Sequence, residues 1–522
     1  MSVAAPSRPR AMSRQRLRLD VTGAVQGVGF RPFVHRLATS EGLAGFVRNT
    51  GDGAAIEIEG PAPAIDRFLR RLDAEIAAPA AIATRALRPA VATGAGTFAI
   101  APSEMAATGH AQVLADLVTC ADCLRELLDP SDRRYRYPFT TCMHCGPRFS
   151  IIEAMPYDRE RTAMRHFAMC DACAAEYADP HSRRFHAETN ACPVCGPRLT
   201  LLDAAGVALA EGDDAFRRAV EALRDGKVVA VKGVGGFQLL ADARSEAAVA
   251  ALRLRKRRPG KPFAVMVRDM AMARELAVVS PVEAETLTSA VGPIVLLPAR
   301  QAIGIATSVA PGSPLIGLML PTTPLHHLLL RELGFPIVAT SGNREGEPIV
   351  TETDAAIEQL AGIANLLLTH DRPIVRRVDD SVVRLIAGAT TVLRSARGFA
   401  PASFGRPGNG APGLAVGGHQ KAAIALDLGD RIVLGPHIGD LDTAAARAAL
   451  EQSVDDLAGL YRMAPQWVAR DAHPDYASTH LAELVGLPVR GVPHHLAHVL
   501  AGCLDNGIDG PVLGVAWDGT GY

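Results

Sequence analysis

The sequence predicts a multidomain chain of α+β and α/β units around a duplicated metal-binding module, and three observations predict it. The length of 522 residues suits three or four domains. Eight of the nine cysteines fall in four CxxC pairs between Cys120 and Cys195. On either side, strand-like apolar runs alternate with runs of helical spacing, separated by Gly- and Pro-rich turns.

Composition narrows the class. Hydrophobic content of 48% is enough for real cores, and a charged fraction of 21% is ordinary. The formal net charge of −1 argues against a broad nucleic-acid-binding surface. No apolar run reaches membrane-spanning length. Residues 1–18 are rich in Pro, Ser and Arg and lack the apolar core of a secretory signal. A disordered lead over residues 1–15 is expected, with Met12 an alternative start. CxxC thiols without an export signal predict a reducing, cytoplasmic setting.

The cysteine stretch repeats itself. Eighteen residues separate Cys120/Cys123 from Cys142/Cys145, and eighteen separate Cys170/Cys173 from Cys192/Cys195. A shift of fifty residues lays Cys120 on Cys170, Arg133 and Arg134 on Arg183 and Arg184, and Cys145 to Arg148 on Cys195 to Arg198. A duplicated supersecondary unit explains this. Two CxxC pairs complete a closed tetrahedral thiolate site, so two structural Zn²⁺ ions are expected rather than disulfides. The repeat favours pairing within each unit; crossed pairing stays open. His144 is an alternative ligand. Residues 135–138 and 149–152 are expected to pack around the metals, and the module, over 109–200, to brace chemistry on either side.

Residues 16–101 read as a small α+β unit. Strands are expected over 17–21, 44–49, 54–59 and 97–100, with helices from Pro32 and over 63–76. The loop Gln26, Gly27, Val28, Gly29, Phe30 leads into Arg31, and its glycines let amides converge on an anion at a helix start. Arg31 suits a phosphoryl group. The string GAVQGVGFRPFVHRLA, followed by GFVRNTGDG, resembles the acylphosphatase family. That resemblance implies a ferredoxin-like fold, with Arg31 binding an acyl phosphate and Asn49 orienting the attacking water.

Residues 205–400 read as an α/β domain. Helices are expected over 213–225, closed by Gly226, and over 246–254. Strands are expected over 228–231, 263–267, 294–297 and 336–340. Lys232, Lys256, Arg258, Lys261 and Arg376 suit a triphosphate, with Ser341 and Asn343 reaching polar ligand groups. There is no GxxxxGK[ST] loop, which excludes an ordinary Walker site. The strings KGVGGFQLLADA, RLRKRRPGKPFAVM, PTTPLHHLLL and SGN resemble the YrdC family. That family makes carbamoyl-type adenylates, so the resemblance implies ATP as a substrate here.

After a Gly/Pro-rich linker over 400–411, residues 412–522 show strand signals near 414–416, 421–427, 431–434 and 467–469, and a helix over 442–462. His494 and His498, four apart, project from one helix face and can share a metal. A strand over 512–517 is expected to deliver Asp518, followed by a tight Gly-rich turn to Gly521. These resemble the N-terminal part of the actin-like ATPase fold of the TsaD type. The resemblance implies a further metal, iron or zinc, on His494, His498 and Asp518. The family's second lobe lies beyond Tyr522, so a truncated domain is expected. Cys503, among Leu500, Ala501 and Leu504, reads as a buried structural residue.

These four units in this order resemble one family, the hydrogenase-maturation carbamoyltransferases called HypF. The resemblance implies hydrolysis of carbamoyl phosphate, formation of carbamoyl adenylate with ATP, and transfer to the C-terminal cysteine of a partner, HypE, on the way to the cyanide ligands of a [NiFe]-hydrogenase iron. From the charge balance and the lack of a spanning apolar run, neither nucleic-acid nor membrane partners are expected. Two other readings compete: a threonylcarbamoyl-AMP synthase of tRNA modification, and a non-catalytic zinc-braced scaffold.

Overall fold

The computed structural model describes residues 14–105, 109, 111–300, 304–406, 408, 410–519 and 521–522. Most of the expected lead, Met12 included, lies outside the described residues. Arg14 and Gln15, read as part of it, instead begin a strand, Arg14–Ala24, and pair with Pro61 and Gly60.

The first unit is a sheet in the order Ala81–Ala90, Arg14–Ala24, Ala54–Pro61, Ala44–Asn49, Phe98–Ile100. Leu19, Val21, Ile56 and Ile58 alternate inward, against Phe30, Val34 and Leu37 of helix Phe30–Ser40 and Ile65, Phe68 and Leu72 of helix Ala62–Glu75. This is the period-two burial of a sheet covered on one face. The strand Ala81–Ala90 was not expected, because it is almost wholly exposed and shows no alternation.

The cysteine repeat is a repeat in space. Helices Ala121–Leu128 and Asp171–Ala178 lie fifty positions apart, and each starts on the residue after the first cysteine of its unit. Arg136 (φ 58°) and His186 (φ 50°) make the same left-handed turn after each helix. Their amides donate to the carbonyls of Leu127 and Tyr177. The module shares its core with its neighbours. Leu127, Tyr137, Phe139 and Ile151 pack with the third unit, and Phe149, Ile152 and Met155 with the fourth. Tyr135, expected in that core, is 42% exposed.

The third unit is an eleven-stranded mixed sheet among the described residues. At its centre Ala264–Met266 runs parallel to Leu315–Met319 and antiparallel to Ile337–Ser341. Helices cover both faces, so Val229 and Val231 face one core while Ala230 and Leu239 face the other. Strands buried on both sides read as continuous apolar runs. One edge is formed by Leu199–Asp203 and Ala208–Glu211, so the unit begins before residue 205.

The fourth unit holds a six-stranded sheet in the order Ala402–Gly405, Arg431–Leu434, Ala425–Asp427, Gly413–Ala415, Trp467–Asp471, Val489–Val492. Ala402–Gly405 lies within the stretch read as a linker, so this unit starts before residue 412. Residues 512–517 are not a strand: no partner pairs with them among the described residues, and Leu513 and Trp517 are each 97% exposed. Cys503 is only partly buried, because helix His494–Asp505 carries no buried residue. No helix among the described residues is long and apolar enough to cross a membrane.

Candidate functional site

The Gly-rich loop precedes helix Phe30–Ser40, with Gly27 (φ 71°) and Gly29 (φ 74°) in the left-handed region that a side chain resists. Among the described residues, the amides of Gln26, Gly27, Val28 and Gly29 donate to no acceptor. Unpaired amides at the positive end of a helix can receive an anion. Arg31 and Asn49 are both buried beside the loop. Asn49 Oδ1 finds no partner among the described residues, while its Nδ2 donates to the carbonyl of Tyr157 at 3.3 Å.

The metal module closes this loop from the other side. Tyr157 N donates to Gln26 Oε1 at 2.9 Å, and Arg148 donates to the carbonyls of Gly27 and Met143. A Cβ on Gly29 would meet Met143 Sδ at 2.7 Å. Arg31 meets Asp158 at 3.0 Å and Glu188 at 2.8 Å. Burial opposes its charge, but the two carboxylates carry its pKa above the ordinary value. Burial pushes Glu188 up, and the Arg31 charge offsets that only in part. The void left at the loop is about 20 Å³.

Cys120, Cys123, Cys142 and Cys145 form one cluster, and Cys170, Cys173, Cys192 and Cys195 the other, so pairing is local. Neighbouring sulfurs lie 3.6–3.8 Å apart. Four sulfurs at a Zn–S distance of about 2.3 Å on a tetrahedron are about 3.8 Å apart, so both sets fit zinc with no disulfide. The sets are complete without His144, whose ring faces Gly29. Each unit also caps the other: Arg133 Nη2 donates to Cys173 Sγ at 3.1 Å, and Arg183 Nη2 to Cys123 Sγ at 3.5 Å.

A cavity of about 500 Å³ lies where the third and fourth units and the metal module meet. That size suits a nucleotide-sized ligand. Arg258, Lys261, Ser341, Asn343 and Arg376 line it together. Two expected residues do not. Lys256 is buried beneath it and donates to the carbonyls of Ser341 and Asn343 at 2.6 Å each, which ties down the loop that carries both. Burial pulls its ammonium down to about 7. Lys232 lies away from the cavity, on a strand buried along its whole length, with Nζ on the carbonyl of His370 at 3.3 Å. Sequence reading missed Arg394, Lys421, His437 and Asp456, which line the cavity from strand Ala389–Arg394 and from the fourth unit. Arg376 joins the walls: it donates to the carbonyl of Ile152 and lies 3.8 Å from Asp456.

His494, His498 and Asp518 come together as expected. His494 Nε2 lies 2.9 Å from Asp518 Oδ2 and 3.1 Å from His498 Nε2. On its other side His494 Nδ1 meets buried Asp471 Oδ2 at 2.6 Å. A carboxylate there fixes the ring so that Nε2 offers its lone pair, the usual support of a metal-ligating histidine. Asp471 was missed; its signal was an acidic residue at a strand's end.

Comparison with known proteins follows the same four parts. Family profiles match residues 17–93 (acylphosphatase), 119–152 and 169–202 (HypF finger), 221–396 (telomere recombination, Sua5/yciO/yrdC) and 409–505 (HypF Kae1-like domain). The carbamoyltransferase HypF of Synechocystis is 48% identical over 97% of this chain and 66% of its own length. That of Rhodobacter capsulatus is 46% identical over 97% of this chain and 68% of its own. A crystal structure of full-length HypF in a phosphate- and nucleotide-bound form superposes with a TM-score of 0.95 at 42% identity, over 99% of this chain and 68% of that one. The chain thus spans about two thirds of the length of these relatives, and it belongs to the HypF carbamoyltransferase family.

Proposed function

From membership of that family we propose that the chain carries out the early steps of carbamoyl transfer for [NiFe]-hydrogenase maturation, in the cytoplasm. Carbamoyl phosphate is the donor. Its phosphoryl group sits on the free loop amides and Arg31, and Asn49 Oδ1 holds the attacking water without adding charge. Water attacks the phosphorus, the acyl–oxygen bond to phosphorus breaks, and carbamate and inorganic phosphate leave. In the cavity, the carbamate oxygen attacks the α-phosphorus of ATP, giving carbamoyl adenylate and pyrophosphate. Arg258 and Lys261 take up charge on the leaving pyrophosphate, and Lys256 fixes the loop of Ser341 and Asn343 around the nucleotide.

One observation carries this reading over a threonylcarbamoyl-AMP synthase. A single segment of the metal module walls both pockets: Tyr157 touches the loop, and Phe149, eight residues away, lines the cavity. Eight residues span at most about 30 Å, so carbamate, which decomposes in water, has a short way to travel. The final acceptor is the C-terminal cysteine thiol of HypE. His494, His498 and Asp518 would hold an iron or zinc ion, which when bound supplies Lewis-acid polarisation of a carbonyl. Asp471 orients His494 for it.

ATP–pyrophosphate exchange tests the proposal. Exchange that depends on carbamoyl phosphate is expected. Exchange that depends instead on threonine and bicarbonate would establish the synthase reading, and none under either condition the scaffold.

A further inference from the structure

In the structure Arg31 is already occupied. Its Nη1 is 3.0 Å from Asp158 Oδ1, and its Nη2 is 2.8 Å from Glu188 Oε1. Nη1 also donates to Ser103 Oγ at 3.5 Å, so both of its hydrogens are taken and a phosphoryl group reaches this nitrogen only by displacing a partner. The two carboxylates differ in how they are held. Glu188 is 3% exposed at its side chain and also accepts from Tyr177 Oη at 2.9 Å and Arg159 N at 3.1 Å. Asp158 is 20% exposed, and its second oxygen rests on Arg161 Nη1 at 2.8 Å. Releasing Glu188 would strand a buried charge; releasing Asp158 leaves it paired to Arg161 and near water.

We propose that Asp158 is the exchangeable anion of the acyl-phosphate site: it holds Arg31 Nη1 in the resting chain and yields that place to the incoming phosphoryl group, while Glu188 stays. This rests on the reading of Arg31 as the phosphoryl-binding residue. Asp158 thereby becomes a positioning residue supplied by the metal module. It keeps the guanidinium aimed at the loop when no substrate is bound, and it sets how strong an anion must be to enter. A weak monoanion such as acetate does not displace it; a phosphoryl group, which also gains the loop amides, does. Asp158 follows Tyr157, whose amide and carbonyl meet Gln26 and Asn49, so the exchange is felt where the water is held.

The probe is inorganic phosphate, measured on the full chain by direct binding and as an inhibitor of acyl-phosphate hydrolysis, with zinc content as the check on folding. D158N, of the same shape, should bind phosphate about tenfold tighter, the scale of one lost charge-assisted contact. Simple loss of repulsion would give the same sign, so Arg161 supplies the second arm. R161A should weaken phosphate binding when Asp158 is present, because the displaced carboxylate has nowhere to go, and should have little effect in D158N. D158N that binds no tighter, or additive effects in the double variant, would overturn the exchange. R31A tests the underlying reading separately. If R31A keeps hydrolysis, that reading fails; if R31A loses it while D158N changes nothing, only the exchange fails.

Discussion

The two proposed anion sites of this chain are built on opposite plans. The loop at Arg31 leaves about 20 Å³, pairs its guanidinium with carboxylates and offers amides that have no acceptor among the described residues. The cavity at Arg258 leaves about 500 Å³ and draws its walls from three units. A small reactive phosphoryl group profits from donors set close together in a buried pocket, where electrostatics are strongest. A nucleotide needs room and several distant cations. The metal module serves both plans, by pressing on the first and walling the second.

The largest effect should follow from removing that shared element. C123S with C145S takes two thiolates from the first zinc set, and closed zinc sites contribute folding energy outright. Zinc content should fall, and both phosphate release from carbamoyl phosphate and ATP–pyrophosphate exchange should be lost together. Loss of one activity alone would break the idea of a common brace. Next in size is R31A, which should lower phosphate release by about 10²- to 10³-fold, the usual cost of one preorganised charge-stabilising donor, with ATP binding unaffected. K256M should do the reverse, weakening ATP binding by about tenfold or more through the loosened Ser341–Asn343 loop and sparing phosphate release. A K256M variant that binds ATP normally would show that the loop needs no tether.

The smallest effect is on pH. His186 borders the loop, and burial and the Arg31 charge pull it down to about 4 from its ordinary 6.5. Unfolded chain therefore takes up a proton between those values that the folded chain refuses, so stability falls as pH drops from 6.5 towards 4 and is unaffected above. In denaturant unfolding, H186Q should flatten that acid slope; an unchanged slope would mean the ring is free to protonate.

Sequence carried some of this better than the rest, for a physical reason. Helix starts, the cysteine period and the loop glycines are local signals, and the structure follows them within a few residues. Strand Ala81–Ala90 escaped because exposed edges need no alternation. The expected strand before Asp518 failed because a ladder needs a partner that local pattern cannot supply. Asp158 and Glu188 reach Arg31 across 127 and 157 positions, and Asp471 reaches His494 across 23. Their roles come from packing, and composition around them says nothing of it. Lys232 failed the other way: a basic residue after an apolar run suggested a ligand, yet its strand is buried on both faces.

The central claim is that carbamate made at Arg31 reaches the cavity without meeting bulk solvent. Isotope dilution tests it most directly. The chain is given ¹³C-labelled carbamoyl phosphate and ATP in an excess of unlabelled bicarbonate and ammonium, and the label in the carbamoyl adenylate is read by mass spectrometry. The account predicts adenylate that keeps the full label. Label diluted to the level of the surrounding bicarbonate would contradict it.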